Sequence, residues 1–340
     1  MEDPSRKPAS FGQDGSTDRL QDMKGDGVSS KIRLIVNPTA GGGTARQAIP
    51  RIEARLKELG VASDLVYTER PWHAAELARI AVQDKVDIVV AVGGDGTANE
   101  VLNGLIQAKQ AGEGTAAMGL LSVGRGNDFA FGAGIPHDID ASCRVLSEGS
   151  RRMIDVGQVS GESLAEPRFF GNGIGIGFDA VVGFEAAKLK RLRGFLGYLV
   201  AALKTIFLYY HAPRTQIEYE GHSLDQASLM VSIMNGRRMG GGFMMAPESV
   251  LDDGLFDLCI VRQVSRPGIL ALIPRFTKGT QAQHPAVTTE RTRKITVTAL
   301  DGVLPAHADG ETLCEQGTQL TMEILPRQIE IVCQAPGKIA

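Results

Sequence analysis

Residues 88–102 read IVVAVGGDGTANEVL. An apolar run ends in Gly-Gly-Asp-Gly and a helical pattern begins at once, so a buried strand hands over directly to a helix. Backbone N–H groups at such a junction point past the strand end with few side chains in the way, which makes a cradle for phosphate. Asp95 adds a carboxylate, which cannot hold phosphate itself and suits a metal-bound or hydrogen-bonded nucleotide better. Without a ligand, the same residues read as a tight turn with Thr97 as the helix N-cap.

Two more glycine clusters follow strand patterns: Asn37–Gly43 after KIRLIVN, and GRGNDF at Gly124–Phe129 after Met118–Val123. The spacing predicts helices over Arg46–Leu59, Ala74–Val82 and Asn99–Ile106, and strands over Asp64–Tyr67 and Asp87–Val92. Pro50 either starts the regular part of the first helix or kinks it. This alternation, with continuous apolar strands, predicts an α/β region built on a parallel sheet with helices on both faces. The three loops then converge at the carboxyl ends of their strands, where open sheets bind ligands. Neither GxxxxGK[ST] nor a GxGxxG that opens a helix occurs, which excludes the usual P-loop and dinucleotide sites.

After Arg152 strands dominate: Met153–Val159, Arg168–Ile176, Thr215–Tyr219, Leu229–Asn235, Phe256–Val261, Ile295–Ala299 and Leu320–Leu325 predict a β-rich second domain. A helical stripe over Phe178–Tyr210 interrupts it; with Lys204 inside, its apolar run falls short of the roughly 20 residues that a spanning helix needs. The glycines of GNGIGIGF, residues 171–178, alternate as on a strand packed against another backbone. In AHADGE, residues 306–311, an extended chain would present His307, Asp309 and Glu311 on one face, two carboxylates suited to acid–base work. The bland alternative is a β-turn at Asp309-Gly310 with solvated charges.

With 340 residues, 43% of them hydrophobic, the chain has the length of two domains and apolar content for a full core. A formal net charge of −3 gives no global attraction to nucleic acid or acidic lipid, so any anion site is local. Four scattered cysteines without a CxxC pair signal neither disulfides nor zinc, and a reducing cytoplasm is the default. Residues 1–30 lack an apolar segment and read as a disordered tail rather than a signal peptide. KLKRLR at 188–193 supplies cations beside the helical stripe, for a peripheral membrane contact or for a solvated turn. Met244 and Met245 line an acyl-chain pocket or fill core.

Six motifs together resemble the lipid kinase superfamily of bacterial diacylglycerol kinases, YegS-type kinases, and sphingosine and ceramide kinases. They are NPTAGGG at 37–43, GGDGTANEVLNGL at 93–105, GRGNDFA at 124–130, GNGIGIGFDA at 171–180, MAPESVLDDGLFDL at 245–258 and ADGE at 308–311. The resemblance implies an α/β nucleotide-binding domain over residues 31–150 and a β-sandwich-like substrate domain over 151–327, with residues 328–340 returning to the first. ATP would lie between the two domains. By position, Asn37, Thr68, Gly93, Gly94, Asp95, Gly96, Thr97, Ala98, Asn99, Arg125, Asn127 and Asp128 match the nucleotide-binding segments. Glu311 matches the base that activates the lipid hydroxyl, with Asp309 as its partner, and Asp253 with the carbonyls of Val250 and Leu255 matches a structural Mg²⁺ site. Most members carry Thr where this chain has Arg125, a residue able to clamp phosphate. The implied activity is transfer of the ATP γ-phosphoryl group to a lipid hydroxyl, diacylglycerol foremost, by a cytoplasmic enzyme associated peripherally with a membrane; a homodimer is left open. The rivals are a kinase of a soluble acceptor, as the NAD kinases are, and a lipid-binding protein without turnover.

Overall fold

All six residues of β3 (Ile88–Gly93) are buried, and its side chains divide by parity: Ile88, Val90 and Val92 enter one core, Val89 and Ala91 another. A strand buried on both faces needs a layer on each. In the computed structural model, which describes residues 30–124, 126–189, 194–208 and 212–334, β3 lies between β1 (Ile32–Val36) and β4 (Ala117–Ser122). Beyond β1 comes β2 (Ser63–Tyr67), and all four strands are parallel. One face is covered by α1 (Thr44–Glu58) and α5 (Ile139–Glu148) through Ile49, Ile52, Leu56, Val145 and Leu146. The other is covered by α2 (His73–Gln83) and α3 (Asp95–Gln110), and the short α4 (Asp128–Gly132) follows the third glycine loop. Pro50 lies inside α1 rather than at its start.

The β-rich region comprises β5 (Ser150–Gly161), β6 (Arg168–Phe170), β7 (Gly173–Gly177), β8 (Arg214–Tyr219), β9 (His222–Met234) and β10 (Phe256–Arg262). It continues through β11 (Val287–Thr292), β12 (Lys294–Ala299), β13 (Leu304–Ala308), β14 (Glu311–Gly317) and β15 (Gln319–Cys333). The hydrogen-bonded path runs β14-β13-β7-β9-β8-β12-β15-β4-β3-β1-β2, so the two regions share one sheet. The joint is the long antiparallel pair β5 and β15, whose register shifts between Leu325 and Ile329. Before that bulge Leu320, Met322 and Ile324 enter the sandwich core; after it Ile329, Ile331 and Cys333 enter the α2–α3 core, where Ile331 pairs with Met118 of β4.

The predicted helical stripe resolves into α6 (Phe178–Lys188) and α7 (Gly194–Leu208). The nearly buried Glu185 of α6 accepts from Lys188 Nζ at 2.6 Å and Lys204 Nζ at 2.5 Å, which ties α6 to α7 and explains the lysine inside an apolar run. Residues 190–193 of KLKRLR lie outside the described residues. An eighth helix, α8 (Arg266–Lys278), packs Ile269, Leu272 and Phe276 against the outer face of β9 and β10. Among the described residues no helix is long and apolar enough to cross a membrane.

Ile331 is fully buried in a core built by the other end of the chain. Ile331→Ala is expected to cost about 2–5 kcal/mol. Urea unfolding should show it as a lower midpoint of a single transition, because the shared sheet couples the two regions.

Candidate active site

Strand β13 turns into β14 through Asp309 (φ 48°) and Gly310 (φ 83°), the left-handed pair that defines a type I′ hairpin and that Asp-Gly favours. His307, Asp309 and Glu311 therefore do not share the face of one extended strand, and the hairpin's charges are not simply solvated either. Asp309 is 5% exposed. Its Oδ1 accepts from the backbone N–H of Asn172 (3.0 Å) and Gly173 (2.9 Å), and its Oδ2 from the N–H of Gly171 (2.8 Å) and from Asn99 Nδ2 (2.9 Å). These bonds turn the chain at 171–172, which is why the strand expected over Arg168–Ile176 divides into β6 and β7. Burial pushes the Asp309 carboxyl up while its donors pull it down.

The Glu311 side chain makes no direct hydrogen bond among the described residues. Its carboxylate lies against the Cα of Gly96, in space that any side chain at position 96 would fill. The residue is exposed at the turn, but its carboxyl end lies within the cleft. That partial burial, followed by the charge of Glu100, raises its pKa; Arg168 opposes the shift and Asp309 adds to it. Glu100 itself accepts from the N–H of Ala74 at 3.0 Å, at the start of α2.

Helix α3 begins at Asp95, four residues before the sequence pattern suggested, with Gly94 at the N-cap and no side-chain cap. Thr97 does not cap it; the Thr97 hydroxyl accepts from Asn37 Nδ2 at 3.2 Å. The first N–H groups of α3 thus remain open toward the cleft, at the positive end of the helix dipole. Asn37 Oδ1 also accepts from the N–H (3.1 Å) and hydroxyl (2.8 Å) of Thr39, which shapes the first glycine loop. At Gly41 (φ 61°) a Cβ would strike the Thr44 side chain and the Val123 carbonyl.

Asp95 turns to the third loop and accepts from the N–H of Asn127 (2.7 Å) and Phe129 (3.1 Å). Asn127 closes that loop on itself, accepting from Gly124 N at 3.0 Å and donating to Gly124 O at 3.3 Å. Asp128 accepts from Arg238 Nε at 2.8 Å and from Gly241 N–H at 3.1 Å, and the Arg238 guanidinium lies 4.0 Å from the centre of the Phe131 ring. Burial first, and then the Asp95 charge, push Asp128 up to about 7 against the pull of Arg238.

Of the residues expected at a nucleotide, Asn37, Gly94, Asp95, Gly96 and Thr97 line a cleft of about 350 Å³ together with Asp309, Gly310 and Glu311. Thr68, Gly93, Ala98, Asn99, Asn127 and Asp128 do not line it, and Arg125 lies outside the described residues. Asn99 instead donates to Asp309 and to the Phe169 carbonyl (2.9 Å), and Asn103 grips both backbone groups of Phe169. Sequence reasoning missed Asn103 and the wall formed by Gly183, Ala186, Gly197 and Tyr198 of α6 and α7. The small residues three apart in α6 are the only signal that could have suggested that wall.

The Asp253 loop does not fit a cation. Oδ1 of Asp253 accepts from the Leu255 N–H at 3.1 Å and Oδ2 pairs with Arg291, whose Nε is 3.3 Å from Asp257. The guanidinium already supplies the positive charge that Mg²⁺ would bring. In nucleotide-free protein the thermal midpoint should therefore be unchanged by Mg²⁺ or a chelator, whereas Arg291→Ala should make it rise with Mg²⁺ in a thermal-shift titration. Asp128 yields a second expectation. From about pH 4 to 7 the unfolded chain has released the proton that native Asp128 retains, so stability falls as pH rises through this window and levels above it. Relative to Asp128→Asn, the wild type should lose stability over that range in urea titrations at a series of pH values.

Residues 31–159 match the diacylglycerol kinase catalytic domain, and residues 172–333 match the YegS C-terminal NAD kinase β-sandwich-like domain. A diacylglycerol kinase of Staphylococcus aureus (strain bovine RF122 / ET3-1) is 28% identical over 313 residues, covering 92% of this chain and 94% of its own length. The fold is similar to that of a diacylglycerol kinase crystal structure from Bacillus anthracis, with a TM-score of 0.68 and 22% identity over 92% of this chain and 99% of the other. A yeast NADH kinase complexed with NADH is similar in fold at a TM-score of 0.50 and 11% identity, over 91% of this chain and 84% of the other. With parallel strands in its α/β region and a β-rich region after it, the chain belongs to the family that joins a diacylglycerol kinase catalytic domain to a YegS-type β-sandwich-like domain.

Proposed function

We propose that this kinase-family protein transfers the γ-phosphoryl group of Mg·ATP to the hydroxyl of a lipid, with diacylglycerol, giving phosphatidic acid, as the acceptor that the relatives' names point to. The observation that carries the reading is the unpartnered Glu311 carboxylate beside the open start of α3, in a cleft that shares lining residues with a small pocket next to apolar space. Asp309 and Gly310 line both this cleft and a small polar waist with His307 and Asp179; Asp179 in turn lines an apolar cavity walled by Met245, Leu272 and Phe276. An amphiphile reaching through the waist would put its chain in the cavity and its hydroxyl at Glu311.

The open N–H groups of α3 and the first glycine loop suit phosphate oxygens. Glu311, its pKa raised, takes the hydroxyl proton as the new P–O bond forms. Phosphoryl transfer has a loose transition state, so positioning and charge supply most of the rate. Leu196, Leu203 and Phe207 are exposed and fall on one face of α7, while Ala202 of the same helix lines the apolar cavity. That stripe supports docking of α7 on the lipid surface from which the acceptor is drawn.

The test is transfer of labelled γ-phosphate from Mg·ATP to diacylglycerol in mixed micelles. Glu311→Gln should lower kcat by about 10²- to 10⁴-fold with ATP binding retained, and Gly96→Val, which displaces the carboxylate, should do likewise. Phosphorylation of NAD without any lipid product would sink the lipid reading and favour a soluble acceptor.

A further inference from the structure

Arg168 opens β6 beside α3, because the next residue, Phe169, is held there by Asn99 and Asn103. Its guanidinium makes no hydrogen bond or ion pair among the described residues and lies 4.5 Å from the centre of the Trp72 ring. Trp72 is the N-cap of α2, and its backbone is left-handed (φ 64°, ψ 3°), a conformation that a bulky side chain seldom adopts. Strained residues of this kind cluster where a side chain must be held in one place. Two residues on, the N–H of Ala74 binds Glu100, which lines the cleft with Glu311. Arg168, Trp72 and Glu100 thus gather where α2, α3 and β6 border the cleft.

The described residues that line the cleft include Asp95, Glu100, Asp309 and Glu311 and no cationic side chain. Asp95 and Asp309 are engaged by backbone N–H groups, which leaves Glu100 and Glu311 as the carboxylates whose charges oppose each other there. The titratable groups around Glu311 are Glu100 from α3, Asp309 from the turn, Tyr198 from α7 and Arg168 from β6, and of these Arg168 alone is a cation. A close ion pair would occupy the carboxylate oxygens, whereas a guanidinium parked on an aromatic ring acts through its field and leaves them free. We propose that Arg168, held on Trp72, is the counter-charge that keeps Glu311 available as a base beside Glu100. Arg168 is therefore a positioning residue that acts through Glu311, and Trp72 acts through Arg168. The inference rests on the reading of Glu311 as the base of a lipid kinase.

The experiment follows kcat/KM for diacylglycerol in mixed micelles against pH at saturating Mg·ATP. In the wild type the value should climb with pH as Glu311 loses its proton and then level, and Glu311→Gln should abolish that limb. Without its counter-charge the Glu311 carboxyl keeps its proton to higher pH. Arg168→Gln should therefore lose about three- to tenfold below the wild-type midpoint and recover as pH rises to the plateau. Arg168→Lys, which keeps the charge, should restore most of the loss. Trp72→Gly, in which glycine suits the left-handed backbone, should move the limb the same way by less and add nothing to Arg168→Gln in the double variant. Should Arg168→Gln fail to fold by circular dichroism, Trp72→Gly is read alone and must lower the low-pH value at least about twofold. A limb that Arg168→Gln leaves in place, or a higher KM for ATP at every pH instead, overturns the role of Arg168 while Glu311 stands as the base. No lipid product, a wild type without the limb, or a limb that survives in Glu311→Gln overturns both.

Discussion

Asp309 accepts a side-chain hydrogen bond from α3 of the α/β region and three backbone bonds from the turn between β6 and β7 of the β-rich region. A buried carboxylate is tolerated only where donors replace its lost water, and four donors from two regions cannot be supplied unless those regions dock in one way. The docking fixes the I′ turn, the turn fixes where β14 starts, and Glu311 is the first residue of β14. The Glu311 carboxylate is thus held over Gly96 by a neighbour whose own acceptor positions are engaged. In the proposed reaction, proton chemistry falls to Glu311, and Asp309 positions it.

The same logic recurs in the third loop. Asp95 and Asp128 carry carboxyl groups into the interior behind the third loop, and each engages backbone N–H groups or Arg238. The loops that face the cleft are therefore nearly bare backbone, shaped from behind by side chains. Such a surface is suited to an anion, which needs N–H groups and space rather than side-chain contacts.

The parallel sheet was legible in the sequence because β3 and its neighbours are continuous apolar runs broken by glycine, a local signal. The motif residues were legible as a set, but not the job of each. Asn99, Asn127 and Asp128 sit in the motifs yet hold the scaffold, since a motif records which residues are required and not which way they face. The divided strand at 171–172 was illegible for another reason: its cause is Asp309, more than 130 residues away, and no periodicity carries so distant a partner. The AHADGE hairpin fell between these cases. Asp-Gly announced the turn, but its burial depended on the donors that the fold brought to it.

The pairing of β15 with β4 also bears on how the chain comes to be folded. β4 is an edge until Ile331 of β15 reaches it, and β15 follows all the other strands of the β-rich region. During synthesis the α/β region emerges with all four of its parallel strands but with one long apolar side of the sheet uncovered, a state prone to pair with other chains. Closure waits for β15 to leave the ribosome. The α/β region is therefore completed after the β-rich region that follows it in the chain, which inverts the usual vectorial order of domain folding.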